Sequence, residues 1–212
     1  MPKRVLILFA HPALEKSRVN RYLAGAVQNI PGVTFNDLYE VYPDFQIDVA
    51  REQELLLAHD VVVLQHPFYW YSSPAILKEW QDLVLEHGFA YGTDGTALRG
   101  KVLLNVITTA GPQEAYRPEG YNRFTMRHLL SPFEQTASLC GMRYLAPLTV
   151  HRALSLASLR DVEPHALLYR RAIESLIDGS LDLEAATRAE RLNDVLPAPD
   201  AIVASGTATG AL

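Results

Sequence analysis

Val61-Val62-Val63-Leu64-Gln65-His66-Pro67-Phe68-Tyr69-Trp70-Tyr71-Ser72-Ser73-Pro74 is the stretch that decides the fold. Its opening run is apolar, β-branched and too short for a helix. Such a run reads as a strand covered on both faces, which is the pattern of a parallel sheet. Four aromatic residues follow where the packing of a strand should end. Ser73-Pro74 then reads as an N-cap with proline at the first helical position. Leu77, Trp80 and Val84 continue the inward face of that helix.

The same unit recurs along the chain. Apolar runs stand at Val5–Ala10, Val33–Tyr39, Val102–Thr108 and Tyr144–Val150, the second and last of them less pure and nearer a sheet edge. Between the first two, Val19, Tyr22, Leu23, Ala26, Val27 and Ile30 follow the spacing of one buried helical face, and Pro31-Gly32 stops that helix. Ser131-Pro132-Phe133-Glu134 combines an N-cap, an early proline and a capping-box Glu, which divides its surroundings into helices over Arg123–Leu130 and Pro132–Leu139. Tyr169, Ala172, Ile173, Leu176 and Ile177 mark a last long helix. Alternating strands and helices predict an α/β fold with right-handed crossovers. Five strands suit a flavodoxin-like parallel sheet of order 2-1-3-4-5 with helices on both faces. The expected domain covers residues 1–180, a charged C-terminal helix 181–196 and a disordered tail 197–212.

The chain has 212 residues, with 19 Lys and Arg against 24 Asp and Glu, so its formal charge is 19 − 24 = −5. That balance argues against nucleic acid as a partner, which asks for a basic face. A single cysteine, Cys140, excludes an internal disulfide and a thiolate cage; it reads as a small buried hydrophobe. His59, His87, His151 and His165 show no ligand spacing, so no metal site is expected. Neither a signal peptide nor a membrane-spanning stretch is visible, and a cytoplasmic protein is expected.

In an open α/β sheet, ligands gather at the carboxyl ends of the strands near the point where the strand order reverses. Three loops meet that description. The first, Ala10-His11-Pro12 followed by Ser17-Arg18-Val19-Asn20, opens a helix whose donors and dipole suit an anion. Its bland reading is a plain cap at Ser17 with His11 packed below. The second, Pro67-Phe68-Tyr69-Trp70-Tyr71, offers flat faces for stacking on a planar ring; the alternative is a hydrophobic patch at a sheet edge or dimer contact. The third, Thr108-Thr109-Ala110-Gly111, brings small residues and backbone N–H groups close to a ligand, or is an ordinary turn. Taken together they match what flavin mononucleotide (FMN) requires: an anion site, an aromatic wall and a donor-rich edge.

Competing motifs are missing. No G-x-G-x-x-G follows the first strand, no G-x-x-x-x-G-K-[ST] occurs, and no G-x-S-x-G elbow is present. A phospho-receiver would place acidic residues where His11-Pro12 and Gln65-His66 stand. Ala10-His11-Pro12 resembles the start of the His-Pro-Asp-Asp motif of zinc deacetylases, but Ala13-Leu14 replace the carboxylates.

The chain resembles the flavodoxin-like NAD(P)H:quinone oxidoreductases over roughly Arg4 to Ser175, and among them the ancillary oxidoreductase subunits of glutathione-regulated potassium-efflux systems. The marks are Ala10-His11-Pro12 with Ser17 and Asn20, Tyr42-Pro43-Asp44-Phe45 with Ile47-Asp48, Pro67 with Trp70-Tyr71-Ser72, Phe89-Ala90-Tyr91-Gly92, Thr108-Thr109, Gly120-Tyr121-Asn122 and Cys140-Gly141-Met142. The resemblance implies a homodimer that binds FMN or FAD and reduces a quinone with NADH or NADPH. It implies that His11, Ser17 and Asn20, with Arg18 and Val19 of the same helix start, hold the phosphate side. Pro67, Phe68, Tyr69, Trp70 and Tyr71 would line the ring; Thr108, Thr109, Ala110 and Gly111 would line its polar edge. Tyr116 matches a loop tyrosine that faces the flavin and is the candidate proton donor to the acceptor. The family pattern has a Gly pair after the threonines, where this chain has Ala110-Gly111-Pro112.

The expected reaction is a two-electron hydride relay from NAD(P)H through flavin N5 to the quinone. Arg117, Arg123 and Arg127 either attract the nicotinamide cofactor's phosphates or form a solvated face. Two other readings stay open. One is a regulatory subunit that activates a potassium-efflux antiporter and sits peripherally on the membrane through it. The other is an electron-carrier flavoprotein. Tyr42–Asp48 reads as a structural, dimer-facing loop, and Trp80 as core.

Overall fold

A computed structural model describes residues 1–196, so the tail expected over 197–212 lies outside the described residues. Six parallel strands form one sheet: β1 (Val5–Phe9), β2 (Val33–Asp37), β3 (Val61–Pro67), β4 (Val102–Thr108), β5 (Arg143–Tyr144) and β6 (Leu148–Val150). Their order is β2-β1-β3-β4-β5, with β6 also on β4. The expected order holds, but the fifth position carries two short strands instead of Tyr144–Val150. The physical reason lies in the backbone donors. Leu145 N–H still bonds Leu103 O, but Ala146 N–H turns to Ala186 O at 2.8 Å, and Pro147 has no N–H.

Each central strand is buried on both faces. Val5, Ile7, Val61, Val63, Leu104 and Val106 point to one side, under α1 (Arg18–Val27) and α7 (Leu159–Asp178). Leu6, Leu8, Val62, Leu64, Leu103 and Ile107 point to the other, under α4 (Ala75–Val84) and α6 (Ser131–Leu139). This period-two division of an unbroken apolar run is why a parallel strand carries no polar alternation.

Several helix boundaries differ from the sequence expectation. α4 starts at Ala75 with Pro74 at the cap position, and Ser73 does not cap it. The Arg123–Leu130 helix shrinks to α5 (Met126–Leu129), because Thr125 supplies the cap and Arg123 sits at φ 62°. α6 starts from Leu130, which also ends α5, so the Ser131–Glu134 capping box is not formed. α2 (Leu38–Val41) and α3 (Val49–Ala58) were not expected; Asp37 and Asp48 cap them. α7 begins earlier than its apolar marks, at a capping box between Ser158 and Asp161. The 181–196 helix is reduced to α8 (Leu183–Arg188) and a 3₁₀ turn at Leu192–Asp194.

One buried charge organises the α4 side. Glu52 is fully buried and accepts from Asn36 Nδ2 (3.0 and 3.1 Å), Tyr42 hydroxyl (2.7 Å) and Trp80 Nε1 (2.9 Å), while Arg51 pairs with it. Trp80 is core, as read from sequence; Tyr42, expected in a dimer-facing loop, is buried as well, and a carboxylate is what holds both.

Candidate functional site

Strand register brings the loops to one level. Pro67 pairs with Thr108, and Thr108 with Val150. Phe68 N–H donates to Thr108 O at 2.8 Å, and Thr109 N–H to Val150 O at 2.9 Å. Asn20 ties the start of α1 to β4: its Nδ2 donates to Ser17 Oγ and Thr108 Oγ1, each at 3.0 Å. A cavity of about 490 Å³ lies between them. The first loop and helix start line it with His11, Ser17, Arg18, Val19 and Asn20. Pro67, Phe68 and Tyr69 supply one wall, and Thr108, Thr109 and Ala110 the floor. Its volume lies in the ordinary range for a small-molecule or cofactor site.

Local chemistry sharpens several assignments. His11 Nδ1 accepts from Ala13 N–H at 3.2 Å, so the neutral ring carries its proton on Nε2. Burial is the largest influence on His11 and lowers its pKa, making it a neutral donor and not the cation that sequence also allowed. Ser17 is indeed the N-cap of α1. The N–H groups of Arg18 and Val19, in the first turn of that helix, have no intrahelical acceptor and stand at its positive end. Arg18 donates to the carbonyls of Leu156 and Ala157, which folds the loop after β6 over the cavity. Ala13, Lys16, Ala153, Leu154 and Leu156 also line the cavity and were missed. Their only sequence signal was position beyond a strand's carboxyl end.

The aromatic loop does not form one continuous wall. Tyr69 to Ser72 is a tight turn, with Ser72 N–H donating to Tyr69 O at 2.9 Å. Trp70 and Tyr71, its two central residues, have φ of 48° and 62°, the type I′ signature. Trp70 is 94% exposed and lies apart from the cavity lining. Tyr71 also stands outside it, its hydroxyl donating to Asn122 Oδ1 at 3.2 Å. Only Phe68 and Tyr69, of the four rings, face the cavity.

Tyr116 stands next to this cavity, in contact with Phe68 (ring centroids 6.2 Å) and with His151 (5.4 Å, 33° between planes). Burial raises its pKa first of all, so the phenol keeps its proton. Thr109 Oγ1 donates to Gly111 O at 2.9 Å and lies 3.0 Å from His151 Nδ1. A hydroxyl has one proton to give, so His151 Nδ1 is the donor in that second contact. Burial, then the nearby Arg191, bring the His151 pKa down to about 4. Along the sequence His151 is one of several scattered histidines; only the pairing of β6 with β4 places it here. Neither Ala110 nor Gly111 takes a positive φ, so the departure from a Gly pair strains no backbone. Space at Gly111 is close but not closed: a Cβ there would lie 3.0 Å from the exposed Tyr121 hydroxyl and in ordinary contact, 3.4 Å, with that of Tyr116.

The arginines divide. Arg117 lines a second cavity of about 300 Å³ on the Tyr116 and His151 side, and Arg123 is exposed. Arg127 is committed elsewhere, donating to Thr187 O (2.7 Å) and Ala189 O (2.6 Å) and pairing with Glu134 at 2.8 Å. His66 belongs to the core of β3: its Nδ1 faces Pro67 O and its Nε2 accepts from Asn105 Nδ2. Among the described residues no His, Cys, Asp and Glu group could hold a metal, and no helix is long and apolar enough to cross a membrane.

Comparison with known proteins gives consistent relatives. The family description of the flavodoxin-like fold matches residues 3–173. The glutathione-regulated potassium-efflux system ancillary protein KefG of Pectobacterium carotovorum subsp. carotovorum is 51% identical over 152 residues, 72% of this chain and 83% of that protein. General stress protein 14 of Treponema denticola, solved in complex with FMN, is 38% identical with TM-score 0.78, covering 82% of this chain and 99% of that one. An NADPH-quinone reductase from P. pentosaceus is 35% identical with TM-score 0.73, covering 80% and 97%.

Proposed function

The chain belongs to the family of the flavodoxin-like fold, and from that premise we propose that it is a flavin-dependent NAD(P)H:quinone oxidoreductase. The observation that carries this reading is the convergence of a helix start, an aromatic wall and a threonine-lined floor on one cavity of about 490 Å³. FMN is the favoured cofactor, in line with the FMN-bound relative. Ser17 and the N–H groups of Arg18 and Val19 would hold its phosphate, with His11 Nε2–H as a further donor. Phe68 and Tyr69 would face the ring, with Trp70 and Tyr71 at the rim, and Thr109, Ala110 and Gly111 would meet its polar edge.

When bound, FMN supplies reversible acceptance of two electrons. The protein's residues do the rest. Phe68 and Tyr69 keep water from the ring's face. Tyr116 holds a proton on its hydroxyl and can give it to the oxygen of a quinone seated beside Phe68. Asn20 keeps the phosphate end and the floor in fixed relation. The flavin-binding domain on this reading is residues 1–180. Exposed Trp70, Tyr71, Tyr121 and Phe124 favour a homodimer, since large apolar groups left exposed are commonly covered.

The test is direct. Purified protein should be yellow or take up FMN, and under anaerobic conditions should turn over NADH or NADPH repeatedly only when a quinone is present. A colourless protein that FMN and FAD both fail to reconstitute would overturn the reading. The KefG relative favours a second, compatible role as ancillary subunit of a potassium-efflux antiporter, held by it at the inner face of the membrane. Co-purification with the antiporter, and flux measured with Trp70→Ala, would separate that role from catalysis.

A further inference from the structure

The family match ends at residue 173, yet the chain continues in ordered contact with the fold to Leu196. Leu181, Ala186, Leu192 and Leu196 are buried in the α1/α7 core. The segment also seals the open edge of the sheet. Ala186 O takes the Ala146 N–H, Pro147 O takes the Leu192 N–H at 2.9 Å, and Asn193 pairs with Thr149 as a strand would. Its Oδ1 accepts from Thr149 N–H at 2.9 Å and its Nδ2 donates to Thr149 O at 3.0 Å.

Two further contacts reach past the sheet. Arg191 is held by Asp194 through both carboxylate oxygens (2.5 and 3.1 Å), and from that position its Nη1 donates to Gln113 Oε1 at 2.5 Å. Arg127 donates to Thr187 O and Ala189 O. Gln113 stands at the start of the loop that carries Tyr116, Tyr121 and Asn122, and Arg127, in α5, stands just past its end. The segment therefore grips that loop at both ends, across the second cavity, which Gln113, Tyr116, His151 and Arg191 share.

We propose that residues 181–196 form a strap whose Arg191 positions the Tyr116 loop and thereby sets how tightly the quinone acceptor is held. The acceptor part rests on the function proposed above; the positioning part does not. An arginine pinned by a bidentate carboxylate loses little freedom on reaching a third group, which suits it to fix a loop.

The experiment uses full-length Arg191→Ala, Gln113→Ala and the double variant, with Arg188→Ala as an exposed strap control. Backbone amide exchange over residues 113–123 is read in the flavin-free protein, where Tyr116 N–H bonds Gln113 O and Asn122 N–H bonds Ala115 O. Both single variants should lose protection there by about three- to tenfold, the worth of one hydrogen bond, and the double variant should lose no more than either. In the flavin-loaded protein KM for the quinone should rise by a similar factor, with kcat and flavin reduction by NAD(P)H within about twofold. Unchanged exchange in both single variants, or effects that add fully in the double, would overturn the strap. Lost protection with unchanged KM would overturn its role toward the acceptor. If no form reduces quinones while exchange behaves as stated, the positioning stands and the functional reading falls.

Discussion

Trp70→Asn should stabilise the protein while impairing it. Trp70 occupies the first central position of a type I′ turn at φ 48°, a left-handed conformation that costs an ordinary L-residue about 1–2 kcal/mol. Asn tolerates that conformation and is favoured in such turns. At 94% exposure, the indole has little burial to lose. If complete burial of a large side chain is worth about 3 kcal/mol, the remaining few per cent is worth about 0.2 kcal/mol. The balance is a gain of about 1 kcal/mol, or about 2–4 °C in Tm for a domain of this size. The assay is thermal unfolding of the flavin-free protein at several concentrations, beside quinone reduction by the loaded protein. Activity should fall, because a strained and exposed ring next in sequence to the cavity-lining Tyr69 is retained for something other than stability. A loss of 1 kcal/mol or more, independent of concentration, would refute the reasoning: Trp70 would then be packed within its own chain.

Three further outcomes follow from the same geometry. Glu52→Gln replaces a buried acceptor of Asn36, Tyr42 and Trp80 with an amide that turns a donor toward at least one of them; unfolding in urea should show a loss of about 2–4 kcal/mol, and a loss below about 1 would count against it. Gly111→Ala would push the exposed Tyr121 hydroxyl aside by a few tenths of an ångström and leave Tyr116 in ordinary contact, so quinone reduction should stay within about threefold and Tm within about 3 °C; a larger loss of either would refute that reading. His66, fully buried, has its pKa pushed down to about 4 by desolvation, so between pH 6.5 and 4 the unfolded chain takes a proton that the folded one refuses. Stability is therefore lost as pH falls through that window, His66 contributing about 2 kcal/mol between pH 7 and 5; His151, also brought down to about 4, adds its own, so His66→Asn should reduce that slope in urea titrations without abolishing it.

The legible and illegible parts of this protein divide by range. Val61–Leu64 and Val102–Val106 announce buried parallel strands because their composition is itself the burial pattern. Ser17, Phe68, Tyr69 and Thr109 could be nominated because a strand's carboxyl end is a place readable along the chain. Local rules failed where two local signals competed. Ser73 lost its capping role to Pro74, and the Ser131–Glu134 box lost to continuity with the preceding short helix at Leu130. Glu52 gave no local sign of being core, since its partners Asn36, Tyr42 and Trp80 come from three separate elements.

By itself, then, the sequence determined the class of fold, the strand order and the three loops from which a site would be built. Apolar runs and their spacing are properties of neighbouring residues, and they survive any arrangement of the rest. Only the tertiary structure decided which side chains enter the cavity and which turn away. Strand register sets His151 beside Thr109, the I′ turn swings Trp70 into solvent, and the C-terminal strap reaches Gln113 from 78 residues along the chain. Those outcomes depend on contacts between residues far apart in sequence, whose geometry is fixed only once the sheet has formed.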